Sequence, residues 1–153
     1  LFSKVGVAPE NVFAMPTEGL SPDESAEQYT ETLRKVFGTP AGELPRFDLI
    51  FLGMGPDGHT ASLFPHTDVV HEKEKLVAAP SVEKLTTHRI TLTSPVLNAA
   101  SEVVFMVVGI DKADALKEVL LGEYNPDEYP SQLLREAHGR VNWLVDATAA
   151  SQL

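Results

Sequence analysis

The chain has 153 residues, a formal net charge of −10 from 22 acidic against 12 Lys and Arg residues, and no cysteine. That length fits one modest domain, the missing cysteines exclude disulfides, thiolate nucleophiles and zinc–thiolate sites, and the acidic balance argues against a nucleic-acid partner. No apolar run approaches the ~20 residues of a membrane span, and Leu1-Phe-Ser-Lys lacks the basic and apolar regions of a signal peptide, so a cytoplasmic protein with no membrane partner is expected.

In chain order, Val12-Phe-Ala-Met15 is a short apolar run closed by Pro16 and predicts a strand. Ser21-Pro22-Asp23-Glu24 predicts a helix start: Ser21 can cap, Pro22 suits the first turn and Glu24 completes a capping box. Ala26, Tyr29, Leu33 and Val36 share one face at spacings of three and four, and Gly38 supplies the stop. Residues 39–46, rich in Pro and Gly, read as a loop. Residues 47–52 are nearly continuously apolar, as in strands of a parallel sheet covered on both faces.

Residues 76–79 form a weaker strand candidate, and Arg89-Ile-Thr-Leu-Thr93 alternates and is β-branched, which predicts a strand. Ser94-Pro95 caps a short helix through Ala100. Residues 102–108 read as another buried strand, ended by Gly109. Asp111 opens a helix with Leu116, Val119 and Leu120 on one face and Gly122 beyond it. Residues 129–137 read as a helix, 141–145 as a last strand, and Asp146 as the cap of a terminal helix. Strands alternating with helices predict an α/β fold. With no repeat, low-complexity tract or linker, residues 1–153 form a single domain.

One stretch concentrates the chemistry: Gly53-Met-Gly-Pro-Asp-Gly-His-Thr-Ala-Ser-Leu-Phe-Pro65, directly after a predicted strand. It matches G-x-G-x-x-G literally, with Glu72 and Glu74 near the distance of a ribose-binding acid. A dinucleotide site needs a full helix after the loop, and Pro65 leaves room for barely one turn. Glycines that only permit a tight turn account for Gly53, Gly55 and Gly58 but give Asp57 and His59 no purpose. A catalytic site uses all of them. Glycines let backbone and ligand approach closely, and a short helix from Thr60 would aim its N–H groups at an anion or oxyanion. The positive end of that helix would keep His59 neutral, able to act as a base. Asp57 would orient the imidazole or bind a hydroxyl.

Residues 47–65 resemble the signature of 6-phosphogluconolactonases, in the glucosamine-6-phosphate isomerase/6-phosphogluconolactonase superfamily. The likeness continues through Arg89-Ile-Thr-Leu-Thr93, Val96-Leu-Asn-Ala-Ala100, Gly109-Ile-Asp-Lys-Ala113 and Val141-Asn-Trp-Leu-Val-Asp146. It implies a Rossmann-like three-layer sheet of the NagB/RpiA/CoA transferase-like type. It also implies hydrolysis of 6-phospho-D-glucono-1,5-lactone to 6-phospho-D-gluconate in the oxidative pentose phosphate pathway. His59 corresponds to the family's general base, with Asp57 beside it, and loop N–H groups from Gly55 to Thr60 would steady the oxyanion. Substrate and phosphate binding fall to Gly53, Gly55, Gly58, Thr60, Lys84 and Arg89, with Lys112 a weaker candidate. Neither metal nor cofactor is implied, the partner is a small phosphosugar lactone, and a monomer is favoured.

His66, His71, His88 and His138 are expected at the surface. Two departures qualify the likeness. The segment before Arg89 is usually Pro-rich, whereas here it reads Val82-Glu-Lys-Leu-Thr-Thr-His88. The family's N-terminal part, with its Gly-Gly-Ser turn and Asp-Glu-Arg motif, has no counterpart, so open sheet edges, open apolar faces and a poorly stable or inactive chain are expected. Two other functions stay open: a glucosamine-6-phosphate deaminase or isomerase, although the loop lacks that branch's Arg-Asn and Asn-Glu-Pro, and a non-catalytic sugar-phosphate-binding module.

Overall fold

The computed structural model describes residues 2–83 and 86–153. A single helical turn, α1 (Phe2–Val5), is followed by a 3-10 turn at Pro9–Asn11. The strand expected at residues 12–15 is absent: the segment is extended but pairs with no other strand, and Tyr29 donates its hydroxyl to the Phe13 carbonyl at 3.1 Å. The helix α2 (Pro22–Phe37) follows from its local signals. Ser21 and Glu24 form the capping box, and Gly38 closes the far end in the left-handed region at φ 62°. Ala26 and Leu33 are buried as expected, whereas Val36, near the end, is 46% exposed.

Strand β1 (Ile50–Leu52) is half the expected length. Next come two short antiparallel pairs, β2 (Val77–Ala78) with β5 (Thr91–Leu92), and β3 (Ser81–Val82) with β4 (Thr87–His88). The second pair was not expected. The helix α3 (Ser94–Ala99) leads into β6 (Glu102–Val107), α4 (Ala113–Leu121), a 3-10 stretch over Pro130–Glu136 in place of the expected α-helix, and β7 (Arg140–Val145). The terminal helix expected after Asp146 is a series of turns, with Asp146 Oδ1 accepting the Ala149 N–H at 2.8 Å.

The sheet runs β1-β6-β7, all parallel, with Leu52 opposite Phe105 and Phe105 opposite Trp143. Its packed face joins Ile50, Leu52, Val103, Phe105 and Val107 to Leu97, Leu116, Val119, Leu133 and Ala149 in one core. Each such Leu or Phe, fully buried, contributes about 1.5–3 kcal/mol. A smaller cluster holds α2 through Ala26 and Leu33 against Leu76, Val77 and Val96. The other face of the sheet is open: Phe51, Met106 and Leu144 are 60%, 51% and 58% exposed. Coverage on both faces, expected for residues 47–52, is therefore not found among the described residues, while the open apolar surface expected from the sequence is.

Candidate active site

β1 delivers the chain into a tight loop at its C-terminal end, where sites form in parallel sheets. The Gly55 N–H donates to the His59 carbonyl at 2.9 Å, and the Gly58 N–H to the Gly55 carbonyl at 3.0 Å. Gly58 sits at φ 71°, a conformation open to glycine at no steric cost. Thr60 is fully buried and donates its hydroxyl to the Gly53 carbonyl at 2.8 Å, which ties the two ends of the loop together.

This closure sets Asp57 against His59. His59 Nδ1 stands 2.5 Å from Asp57 Oδ1, and the His59 backbone N–H leans on the same oxygen at 3.4 Å. A carboxylate can only accept, so the neutral imidazole carries its proton on Nδ1 and presents a lone pair at Nε2. Both side chains are 25% exposed. The ring of Phe64 stacks on the imidazole, centroids 4.2 Å apart and planes 28° from parallel. Gly55 is required by space rather than by φ: a Cβ there would lie 2.1 Å from His59 Nδ1 and 2.7 Å from Asp57 Oδ1.

The helix expected from Thr60 is absent. The Leu63 N–H bonds the Thr60 carbonyl at 2.9 Å in a single turn, and Ala61 takes a left-handed φ of 48°. No helix dipole therefore acts on His59, and the partner that holds it is a carboxylate. The N–H groups of Gly55 and Gly58, expected to steady an oxyanion, are engaged within the loop itself.

A cavity of about 1060 Å³ adjoins the loop, with Asp57, Phe64, Tyr129 and residues 78–83 in its wall. His59 is not part of that wall; its two neighbours Asp57 and Phe64 are. Asp23, Glu72 and Glu128 also line the cavity, and Lys75 is the one Lys or Arg among the described wall residues. The N–H groups of Lys75 and Glu74 hold the Glu72 carboxyl below its usual range, so it stays anionic. Lys84 lies outside the described residues. Arg89 is exposed at the foot of the β3–β4 hairpin, its N–H donating to the Pro80 carbonyl at 3.0 Å, and it is not in the described cavity wall. Lys112 contacts Asp111 at 2.5 Å.

The structure thus brings together Gly53, Gly55, Asp57, Gly58, His59 and Thr60 on one loop. It adds three residues that sequence patterning passes over: Phe64, Lys75 and Tyr129, whose ring lies where a Gly58 Cβ would reach. Of these only Phe64 has a visible signal, an aromatic held between the loop and Pro65. His66, His71, His88 and His138 are all exposed as expected, the first two paired with Glu128 at 3.2 Å and Asp127 at 2.9 Å.

The family described as glucosamine-6-phosphate isomerases/6-phosphogluconolactonase matches residues 1–143. A 6-phosphogluconolactonase of Nostoc sp. is 39% identical over 150 residues, a span covering 98% of this chain and 61% of the relative. The solved structure of a devB protein superposes with a TM-score of 0.85 at 31% identity, over all of this chain and 63% of the other. A monomeric glucosamine-6-phosphate deaminase of the NagB superfamily superposes at TM-score 0.76 over 95% of this chain and 61% of its own, with 16% identity, a likeness of fold alone. Carrying the Asp57–His59 loop and matched over nearly its whole length, the chain belongs to the glucosamine-6-phosphate isomerase/6-phosphogluconolactonase family.

Proposed function

We propose that this chain carries the base of an enzyme that hydrolyses 6-phospho-D-glucono-1,5-lactone to 6-phospho-D-gluconate in the oxidative pentose phosphate pathway. The observation that carries this reading is the Asp57–His59 pair, 2.5 Å apart on the loop after β1. The chain's 39% identity to the Nostoc lactonase supports the choice of substrate.

His59 Nε2 takes a proton from water, and the oxygen attacks the lactone C1. Asp57 fixes the tautomer that leaves Nε2 free and balances the imidazolium as it forms. The tetrahedral intermediate collapses with departure of the ring oxygen, which regains the proton from Nε2. A lactone is already activated, so one well-placed base suffices. Gly53, exposed and with nothing within 4 Å of where a Cβ would stand, leaves room for the sugar to approach. On this reading Arg89 and Lys84 meet the phosphate, Arg through paired hydrogen bonds and Lys as a point charge. The enzyme works in the cytoplasm as a monomer without metal or cofactor. Among the described residues no helix is long and apolar enough to cross a membrane.

The test is a lactonase assay on the longest form of the protein that contains this chain, with and without His59→Ala. Loss of at least ~100-fold in kcat is expected, within the range a general base supplies. Undiminished turnover would remove His59 from the mechanism. Ammonia released from glucosamine-6-phosphate would replace the lactonase with a deaminase, and 6-phosphogluconate binding without turnover would leave a binding module.

A further inference from the structure

We infer that Phe64 is a positioning residue for His59, holding the imidazole in the plane from which Nε2 can reach its water. This rests on the role of His59 as the base in the reaction proposed above.

The bond from an imidazole to its Cβ carries a broad torsional well. One hydrogen bond at Nδ1 fixes a point on the ring but not its plane. Gly55 makes room for the ring, since even a methyl group there would overlap Nδ1 at 2.1 Å. Phe64 supplies the further restraint, with its ring stacked at 4.2 Å and 28°. The carboxylate sets the tautomer, and the phenyl ring sets the plane.

Phe64 is itself held firmly enough to act this way. The turn from Thr60 to Leu63 is closed by a 2.9 Å backbone bond, and both of those side chains are fully buried. The Ser62 N–H reaches across to the Thr91 hydroxyl at 3.1 Å. The Phe64 carbonyl accepts the Thr67 hydroxyl at 2.6 Å. Pro65 then restricts the next bond. Phe64 is only 9% exposed, yet it forms part of the cavity wall, and it covers one face of an imidazole whose side chain keeps 25% exposure. When His59 takes up a proton, the same aromatic face lies within cation–π distance of the new charge.

The inference is tested with Phe64→Leu and Phe64→Met, which keep apolar volume but lose the flat ring, and with Phe64→Tyr, which keeps it. Two readouts are taken on the full chain: lactone hydrolysis, and the 15N shifts of the His59 ring nitrogens, which report the tautomer without any turnover. In the Leu and Met variants kcat should fall about tenfold with KM unchanged, the cost of a misdirected group, and, because a ring free to turn loosens its Nδ1 bond to Asp57, the 15N shifts should move toward a mixture of tautomers. Phe64→Tyr should recover kcat to within about twofold and restore the parent shifts. Leu or Met variants with parental kcat and parental shifts would overturn the positioning role. So would loss of the fold in both, which would make Phe64 a core residue only. Shifts that respond as expected in a protein extended to the length of its relatives, yet without lactonase turnover, would sink the lactonase reading and leave the positioning of His59 standing.

Discussion

Phe105 and Met106 are neighbours on β6, yet one is fully buried and the other is 51% exposed. They point to opposite faces of the same sheet, as the two-residue repeat of a strand requires. Behind Phe105 stand Leu97 of α3, Leu116 and Val119 of α4, and the 3-10 stretch with Leu133. Met106 shares its face with Phe51 and Leu144, themselves exposed. The outer face also carries Glu102, with Arg140 and Asn142 bonded to its carboxylate, beside its apolar side chains. The larger difference between the faces is cover, and cover comes from elements distant in sequence. An unbroken apolar strand therefore records the environment it suits, with both faces packed, and says nothing about which face is filled.

The largest test of this contrast is Phe105→Ala. Phe105 is fully buried and stacked on Trp143 at 3.9 Å with planes 3° apart. Truncation should cost about 3–5 kcal/mol, the transfer and cavity cost of a buried aromatic, read as a lower urea midpoint. A loss below about 1 kcal/mol would mean that the packed face is no better filled than the open one.

A smaller effect is expected where the packed face is latched at its end. Asp146, following β7, accepts N–H groups from Ala149 and Gly109 and the Thr148 hydroxyl. These bonds, led by that of Ala149, hold its carboxyl below the usual aspartate range. They also seat Ala149 against the core with no exposure. A depressed folded pKa favours the folded state at pH values above the unfolded pKa, and that contribution is lost as pH falls through the folded value. Stability should therefore drop as pH goes below the usual range of a free aspartate, about 3.9. Asp146→Asn should flatten that limb of a thermal-melt series. An unchanged acid limb would show that the latch does not respond to charge.

The same division between local and distant causes separates what the sequence makes legible from what it hides. The capping box of α2 and its Gly38 stop lie within a few residues of the bonds they make, and both were readable. So was the Asp57–His59 pair, two positions apart in a glycine-rich loop. The strand expected at residues 12–15 had the right composition but no partner strand, which only the fold decides. The helix expected from Thr60 gives way to a turn because Ala61 adopts φ 48°, a left-handed conformation that no propensity of alanine suggests. That turn is what swings Phe64 onto His59, so the stack was hidden for the same reason. The sheet order β1-β6-β7 pairs Ile50 with Val103 and Val103 with Val141, positions far apart in sequence, and local pattern cannot supply it.

The smallest effect should come from the open face, and it sharpens the contrast most. Met106→Ser, alone and with Phe51→Ser and Leu144→Ser, removes apolar surface that is already in water. Burial lost on unfolding is then small, and stability should stay within about 0.5 kcal/mol of the parent for the single change. Binding of a hydrophobic dye should decrease in the triple variant, because contiguous exposed apolar side chains are what such a dye senses. The pair of readouts matters more than either one. Serines that lower dye binding and leave the urea midpoint in place locate the apolar patch on this face and the stability on the other. Serines that lower the midpoint by as much as Phe105→Ala would show that something covers Met106 in solution, and the two faces of β6 would then be equivalent after all.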